Sequence, residues 1–174
     1  MNYFSQKNTA ERYARGRPFF HRNTINHIRE FIQIGNKLEN ALDVACGTGL
    51  STAALLDIAE NVFGTDNADE MLKFALKLQE IKYSKAPAEN LLFEDNYFDI
   101  ITVSSGVHWF DIDKFLGEAI RVLRSKRWLV LYENHFISEM PALKAFGNWF
   151  PNVYLKKYPS PKRNDSYEWT NENL

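Results

Sequence analysis

The sequence has little of several features that mark particular classes of protein. Among its 174 residues Cys46 is the one cysteine, so no disulfide bond can form within the chain, and a cytoplasmic location is the expectation. Lysine and arginine together number 21, and aspartate and glutamate number 22. This near balance of charge gives no reason to expect a nucleic acid or an anionic membrane as a partner.

Long hydrophobic runs and metal-binding motifs are also missing from the sequence. No apolar stretch approaches the roughly 20 residues that span a bilayer, and residues 1–5 lack the apolar segment of a signal peptide. The four histidines, His21, His27, His108 and His135, do not have the spacing of metal ligands, so no metal site is predicted. The chain is long enough for one globular domain with a substantial core.

The most informative stretch is residues 42–51, with the sequence Leu-Asp-Val-Ala-Cys-Gly-Thr-Gly-Leu-Ser. Apolar residues up to Val44 predict a buried strand, the small residues 45–49 predict a turn, and a helix is predicted from Leu50 onward. This order of strand, glycine turn and helix is typical of the ligand-binding edge of an α/β sheet. Glycine lets the backbone approach a ligand where a Cβ atom would collide.

Strands and helices alternate along the rest of the chain. Strands are predicted at residues 40–44, 61–65, 81–85, 98–103 and 128–132. Apolar residues recur at helical spacing in three sets, namely Leu55, Ile58 and Ala59, then Met71, Phe74, Ala75 and Leu78, and then Leu116, Ala119, Ile120 and Leu123. The alternation predicts an α/β fold with a Rossmann-like, doubly wound, mainly parallel sheet of strand order 3-2-1-4-5. In this order the turn at residues 45–49 and the loop at residues 104–111 face one crevice.

Two acidic residues at strand ends narrow the choice of ligand. Residues 47–52 lack the third glycine of the nicotinamide-dinucleotide fingerprint, and no Gly-Lys-Ser/Thr follows as in a P-loop. Asp43 ends the first strand, and its carboxylate favours a ligand with a positively charged ammonium or sulfonium end. Asp66 lies about twenty residues beyond the turn, where such folds place a carboxylate that accepts from ribose hydroxyls; a helix-capping acid is the alternative.

Several motifs in order resemble one family. They are D-V-A-C-G-T-G at 43–49, G-T-D at 64–66, A-P-A-E at 86–89, F-D-I-I-T-V at 98–103, H-W-F-D at 108–111 and F-L-x-E-A-x-R-V-L-R at 115–124. Together they resemble the class I S-adenosylmethionine-dependent methyltransferases. The A-P-A-E and H-W-F-D motifs, with Tyr13 and Arg17-Pro18, are similar to the type 11 branch that includes trans-aconitate and related small-molecule methyltransferases. The resemblance extends over roughly residues 13–133.

The resemblance implies a role for each matching residue. The methionine part of S-adenosylmethionine would be held by Asp43 and the backbone of Ala45, Cys46, Gly47 and Gly49, with Ser104 beside it. Asp66 would take the ribose hydroxyls, Asn67 and Met71 would flank the adenine, and Ala88 and Glu89 would meet the adenine edge. Tyr13 and Arg17 would close over the site, while His108 and Trp109 would face the acceptor, with His108 as the candidate base.

Most of these residues also suit a structural role. Cys46 fits a small core residue better than a nucleophile, because no histidine is near it in sequence. Met71 belongs to an apolar helix stripe with or without adenine, and Trp109 suits the core as well as a substrate. For His108, a structural hydrogen bond and a substrate contact are both open.

The resemblance implies methyl transfer from S-adenosylmethionine to a small-molecule acceptor, with carboxylic acids among the candidates. A non-catalytic or truncated S-adenosylmethionine-binding module is the first alternative, and a nicotinamide-dependent oxidoreductase is the second. Three segments are expected: an N-terminal arm or lid at residues 1–22, the S-adenosylmethionine-binding Rossmann-like domain at residues 23–137, and a C-terminal helix with an irregular tail at residues 138–174.

The chain departs from the family at two places. Ser125-Lys126-Arg127 is expected to form the turn before the fifth strand, where the family usually has Pro-Gly-Gly. The antiparallel strands that normally continue the sheet after the fifth strand are expected to be missing, since the sequence ends at Leu174. The fifth strand would then be an exposed edge, and proteins rarely leave such an edge uncovered. A homodimer through this edge or through the C-terminal tail is therefore expected.

Overall fold

The computed structural model describes residues 6–134 and 143–159 and divides the chain after Tyr132 into two units. In chain order the first unit contains α1 (Lys7–Gly16), α2 (His21–Phe31), β1 (Leu38–Val44), α3 (Leu50–Ala54) with a 3₁₀ turn (Leu55–Asp57), β2 (Ala59–Asp66), α4 (Asp69–Lys73), β3 (Ile81–Lys85), β4 (Phe98–Ser104), a second 3₁₀ turn (Val107–Trp109), α5 (Ile112–Val122) and β5 (Leu123–Tyr132). The second unit contains α6 (Lys144–Trp149), a π-helical segment (Phe150–Tyr154) and α7 (Leu155–Lys157).

The five strands form one parallel sheet in the order β3-β2-β1-β4-β5, which confirms the predicted fold class and strand order. Asp43 of β1 lies opposite Gly64 of β2 on one side and Thr102 of β4 on the other. The carboxyl ends of these central strands therefore meet at one edge, where the glycine turn and the loop after Ser104 begin. Residues 6–134 and 143–159 contain no antiparallel strand.

The hydrophobic core lies on both faces of the sheet, as near-continuous apolar strands predict. On one face Ile25 of α2 and Leu55 pack with Ile100 of β4, and all three are fully buried. Elsewhere in the core Phe63 meets Phe98 edge to face, with ring centroids 5.5 Å apart. Burial of both faces holds the strand ends, and with them the site, in fixed positions.

Two helices are shorter than the apolar spacing predicts. α3 ends at Ala54, and Ala59, which was expected on its apolar face, pairs with Leu38 of β1 as the first residue of β2. The ladder with β1 satisfies the backbone of Ala59 in place of a helical hydrogen bond. α4 ends at Lys73, so Leu78 lies outside it and is 42% exposed.

The buried face of α5 also differs from the prediction. Ile112, Phe115, Ala119 and Val122 are buried, whereas Ile120, which was predicted for the apolar stripe, is 76% exposed. The helix begins earlier than that stripe, because Asp111 caps it by accepting from the backbone N–H of Lys114. The buried residues have the spacing i, i+3, i+7 and i+10, so they form a different face of the helix that shares only Ala119 with the predicted stripe.

Residues 125–127 lie inside β5, so the prediction of a turn before the strand is wrong. Pairing with β4 shifts between Phe98 opposite Leu123 and Ile100 opposite Trp128, which leaves a wide bulge opposite Asp99. Arg124 and Arg127 reach the buried Asp99 carboxylate from this bulge, at 3.1 Å each. Ion pairs with a carboxylate distant in sequence hold the charged segment in the sheet.

The second unit is more helical than the sequence predicts. The helix expected at residues 142–150 is present in part as α6, while residue 142 lies outside the described residues. Residues 151–157 continue in helical form, so the predicted irregular tail is wrong there. Aromatic rings four residues apart stack along this segment, with centroids of Phe150 and Tyr154 5.3 Å apart. Predictions for residues 160–174 lie outside the described residues. No helix in the described ranges has the length and apolar character to cross a bilayer.

Candidate functional site

The turn after β1 has a backbone that favours glycine. Gly47 and Gly49 have φ angles of 56° and 79°, and Ala45 has a φ of 56°. The backbone N–H of Gly49 donates to the carbonyl of Cys46 at 2.9 Å, which closes the turn before α3 begins. Left-handed conformations cost little for glycine, so the two glycines allow a tight corner at the edge of the sheet.

Asp43 stabilises the glycine turn through hydrogen bonds to the elements on either side of it. The side chain is fully buried, and its carboxylate accepts from the hydroxyls of Ser51 at 2.6 Å, Thr52 at 2.7 Å and Thr102 at 3.1 Å. These bonds tie the end of β1 to the first turn of α3 and to β4. Burial raises the pKa of Asp43 to about 6, against the lowering effect of the three hydroxyls. The carboxylate is directed at protein groups, so a direct contact with a ligand stays a prediction.

The raised pKa of Asp43 predicts a pH-dependent stability. Because the folded pKa of about 6 exceeds the ordinary value of 3.8, the stability from Asp43 is complete below pH 3.8 and is lost as pH rises through 6. Relative to Asp43→Asn, the unfolding free energy of the wild type should fall by about 2 kcal/mol between pH 4 and pH 7. Urea unfolding across this range measures the difference. Parallel curves would contradict it, and the exposed Asp113→Asn serves as the control.

Asp66, at the end of β2, bonds to the same corner. One carboxylate oxygen accepts from the backbone N–H of Gly47 and the other from the N–H of Ala68, both at 2.8 Å. Burial raises the pKa of Asp66, and the two backbone donors oppose the rise. A carboxylate has about four lone-pair positions, so two remain for hydroxyl groups of a ligand.

The N-terminal arm packs against the turn. Ala10 of α1 is buried in one cluster with Ala68 and Met71, and Tyr13 packs against that cluster. A Cβ atom on Gly47 would lie 3.1 Å from the Met71 methyl group and 3.8 Å from the Tyr13 ring. The guanidinium of Arg17 lies over the Tyr13 ring, 4.6 Å from its centroid. The structure thus places Tyr13, Arg17 and Met71 around the glycine turn.

A narrow cleft of ≈ 20 Å³ opens beside the turn, with room for about one water molecule. It is lined by Tyr13, Arg17, Phe20, His21, Ala45, Cys46, Thr48, Leu50, Ser51, Ser104 and Ser105. Five residues predicted from the sequence are in this set, namely Tyr13, Arg17, Ala45, Cys46 and Ser104. The turn and the end of β4 therefore face one crevice, as the strand order predicts.

The other predicted site residues lie outside the cleft lining. Asn67 is exposed beyond the end of β2, and Ala88 is buried in the loop after β3. Glu89 accepts from the backbone N–H of Asp111 at 2.8 Å and so ties this loop to the start of α5. His108 and Trp109 pack against each other with ring centroids 5.0 Å apart, and Trp109 is 38% exposed. Their predicted contact with an acceptor stays a prediction.

Six residues of the cleft lining are not among the predicted site residues, and His21 and Ser51 are two of them. Ser51 could have been found, because a hydroxyl in the first turn of the helix after the glycine turn can reach back to the acid that ends the strand. No motif in the sequence points to His21. Its partner is Tyr132, which lies 111 residues away.

The buried thiol of Cys46 is unsuited to nucleophilic chemistry. Burial, with the nearby charges of Asp43 and Asp66, raises the pKa of Cys46 well above its ordinary value. Within residues 6–134 and 143–159, no group of three or more His, Cys, Asp or Glu side chains could hold a metal ion. The polar groups at the cleft and the turn are therefore hydroxyls, the carboxylates of Asp43 and Asp66, the imidazole of His21 and the guanidinium of Arg17.

Comparisons with known proteins match the part of the chain that contains this turn to a family. Residues 42–131, which extend from β1 into β5, match the profile of the methyltransferase domain. The uncharacterized methyltransferase YcgJ of Bacillus subtilis is 30% identical over 136 residues, covering 74% of this chain and 52% of YcgJ. The ubiquinone/menaquinone biosynthesis C-methyltransferase UbiE of Rickettsia bellii is 41% identical over 110 residues, covering 55% of this chain and 44% of UbiE. The chain spans about half the length of these relatives.

Solved structures share the fold. A candidate type II methyltransferase from Anaeromyxobacter dehalogenans superposes with a TM-score of 0.73 at 23% identity, covering 88% of this chain and 67% of that protein. The crystal structure of YcgJ superposes with a TM-score of 0.56 at 27% identity, covering 72% of this chain and 58% of YcgJ. With the domain match over more than half of the sequence, these findings show that the chain belongs to the methyltransferase domain family, in the type 11 branch of the class I S-adenosylmethionine-dependent methyltransferases.

Proposed function

We propose that this chain transfers the methyl group of S-adenosylmethionine to a small-molecule acceptor by in-line displacement. The observation that carries the proposal is the bond from the Gly47 N–H to the Asp66 carboxylate at 2.8 Å. This bond holds the Asp66 carboxylate, which has lone pairs left for a ligand, beside the glycine turn. The left-handed conformations of Gly47 and Gly49 leave the backbone of this turn open to a ligand.

The residues at this corner fit the cofactor. Asp66 can accept from both ribose hydroxyls while it keeps its two backbone donors. Met71 lies directly over Gly47 and offers an apolar surface for the adenine. The negative charge of Asp43 behind the turn favours a positively charged methionine end when the carboxylate is ionised. The sulfonium of the bound cofactor supplies an already activated methyl group.

The cleft must widen to admit a ligand of this size, since it now has room for about one water molecule. Tyr13, Arg17 and Met71 lie over the glycine turn, and of these Tyr13 and Arg17 belong to the N-terminal arm. We infer that α1 and Arg17 swing away to admit the cofactor and then close to exclude water from the reaction. The lid in this proposal is therefore a shorter segment than the predicted residues 1–22, and it leaves α2 in place.

The acceptor in this proposal carries a carboxylate. Arg17 lines the cleft, and no carboxylate of the described residues forms an ion pair with it. A guanidinium binds a carboxylate through two parallel hydrogen bonds, and this would orient the acceptor over the methyl group. In-line transfer needs little more than such positioning, because the leaving group departs as a neutral thioether.

A second candidate is a module that binds the cofactor without turnover. It is favoured by the narrow cleft, which has room for about one water molecule and so shows no space for an acceptor beside the cofactor. The nicotinamide-dependent alternative has less support, because the turn lacks the third glycine and the family match is to methyltransferases.

One experiment separates these functions. The intact chain is incubated with S-adenosylmethionine labelled with tritium in the methyl group and with a fractionated extract of small molecules, and label is followed by chromatography. Label in acidic small molecules supports the proposal. Cofactor binding without any transfer of label supports the binding module, and the absence of binding to S-adenosylmethionine contradicts both.

A further inference from the structure

His21 occupies a position in the cleft that the cofactor residues do not explain. It is the first residue of α2 and is only 8% exposed, yet it lines the cleft together with Ala45 and Ser104. Its Nδ1 atom lies 3.1 Å from the hydroxyl oxygen of Tyr132 at the end of β5. A buried imidazole at a ligand cleft, fixed by a single hydroxyl, is a candidate for proton transfer.

The surroundings of His21 fix the orientation of its ring. Phe20 packs at 4.1 Å between ring centroids, and Tyr132 meets the imidazole edge to face at 6.0 Å. Tyr132 pairs with Ser104 in the sheet. Ser104 lies at the end of β4, beside the turn that is proposed to hold the methionine end. The imidazole is therefore close to the part of the cofactor that reacts.

The His21 ring is neutral and so has a lone pair that can accept a proton. Burial and the positive charge of Arg17 lower the pKa of His21 to about 4, so the ring is neutral at pH 7. In the tautomer whose Nδ1–H donates to Tyr132, the Nε2 atom keeps a free lone pair. A neutral ring also avoids repulsion of a sulfonium, which a protonated imidazole would cause.

We propose that His21, oriented by Tyr132, is the catalytic base that takes a proton from the acceptor during methyl transfer. As the acceptor atom forms its bond to the methyl carbon, the bond from that carbon to sulfur breaks and its electron pair stays on sulfur. The acceptor's proton passes to Nε2 of His21 and later to solvent. The methylated atom is therefore a hydroxyl oxygen or an acidic carbon, and a carboxylate bound by Arg17 serves as the point of attachment.

This inference rests on the proposed function, and its test uses two inhibitors that need no identified acceptor. S-adenosylhomocysteine lacks the methyl group, whereas sinefungin carries a primary amine at the position of the methyl sulfonium. A lone pair facing that position should accept a charge-assisted hydrogen bond from the protonated amine. The wild-type chain should bind sinefungin about tenfold or more tightly than S-adenosylhomocysteine, as measured by calorimetry.

Two variants separate a base from a structural histidine. His21→Asn keeps a donor near the Nδ1 position for Tyr132 but has nothing at the Nε2 position, so the preference for sinefungin should disappear. His21→Gln extends an amide oxygen toward the Nε2 position and should restore part of the preference. His27→Asn, at an exposed histidine of the same helix, is the matched control and should leave the preference unchanged.

The outcomes distinguish the two proposals from each other. If the wild type binds neither inhibitor, the proposed function itself fails. If S-adenosylhomocysteine binds but His21→Asn keeps the full preference for sinefungin, the inference about His21 is overturned. Loss of the preference in His108→Asn instead would assign the base to His108. Unchanged affinity of His21→Asn for S-adenosylhomocysteine confirms that this variant is folded.

Discussion

Asp66→Ala should weaken the binding of S-adenosylhomocysteine by about 100-fold or more, because two charge-assisted hydrogen bonds to the ribose are lost. The substitution also frees the backbone N–H groups of Gly47 and Ala68, which Asp66 holds at 2.8 Å. The glycine turn would then lose the contact that sets its distance from β2. Isothermal titration calorimetry with the wild type and the variant measures the effect.

Asp69→Ala is the matched control for this experiment. Asp69 lies three residues further along, is exposed, and pairs with Lys85 at the surface. Its replacement should change the affinity less than about threefold, since exposed ion pairs contribute little. A similar affinity of Asp66→Ala and the wild type, with both proteins folded by circular dichroism, would show that Asp66 is only a structural link between the turn and α4.

Gly49→Ala should destabilise the fold by about 3 kcal/mol or prevent folding altogether. A Cβ atom at this position would lie 2.1 Å from the hydroxyl oxygen of Tyr83 and 2.9 Å from the ring carbon that carries it. The φ angle of 79° adds a strain that repacking cannot remove. Urea unfolding at pH 7 measures the change in the free energy of unfolding.

Gly117→Ala is the control for this prediction, and a double variant separates the steric clash from the backbone strain. Gly117→Ala in α5 meets no atom within 4 Å and should stabilise the protein by about 0.5–1 kcal/mol, because alanine favours the helix. Gly49→Ala combined with Tyr83→Ala removes the clash but keeps the φ angle, so only part of the lost stability should return. Equal effects of Gly49→Ala and Gly117→Ala would contradict the described geometry of the turn.

The strands and their order could be predicted from the sequence because each strand is marked by residues that are neighbours in the chain. Apolar runs such as the one that ends at Val44 mark strands buried on both faces, and right-handed crossovers limit the possible strand orders. Helix ends were less predictable. Ala59 fits a helical stripe as well as a strand, and only its pairing with Leu38 decides between them. The bulge in β5 depends on Asp99, which lies far from Arg127 in sequence.

In the candidate site, too, features set by sequence neighbours could be predicted, whereas contacts between residues far apart in the sequence could not. Asp66 was found because its distance from the glycine turn is set by the length of one helix and one strand. The three hydroxyls around Asp43 come partly from β4, and the bond from His21 to Tyr132 joins residues 111 positions apart. No local pattern encodes such contacts, so the side of the cleft formed by the glycine turn could be predicted and the side formed by His21 could not.

The most direct test of the account is the response of backbone amides to S-adenosylhomocysteine, followed by ¹H–¹⁵N correlation spectra of the intact chain. If the corner between β1 and β2 holds the cofactor, the largest shifts should fall on residues 45–49 and 66–68, with His21 and Ser104 next. Shifts confined to other parts of the chain, or none at saturating ligand, would contradict the central claim that this glycine corner is a cofactor site.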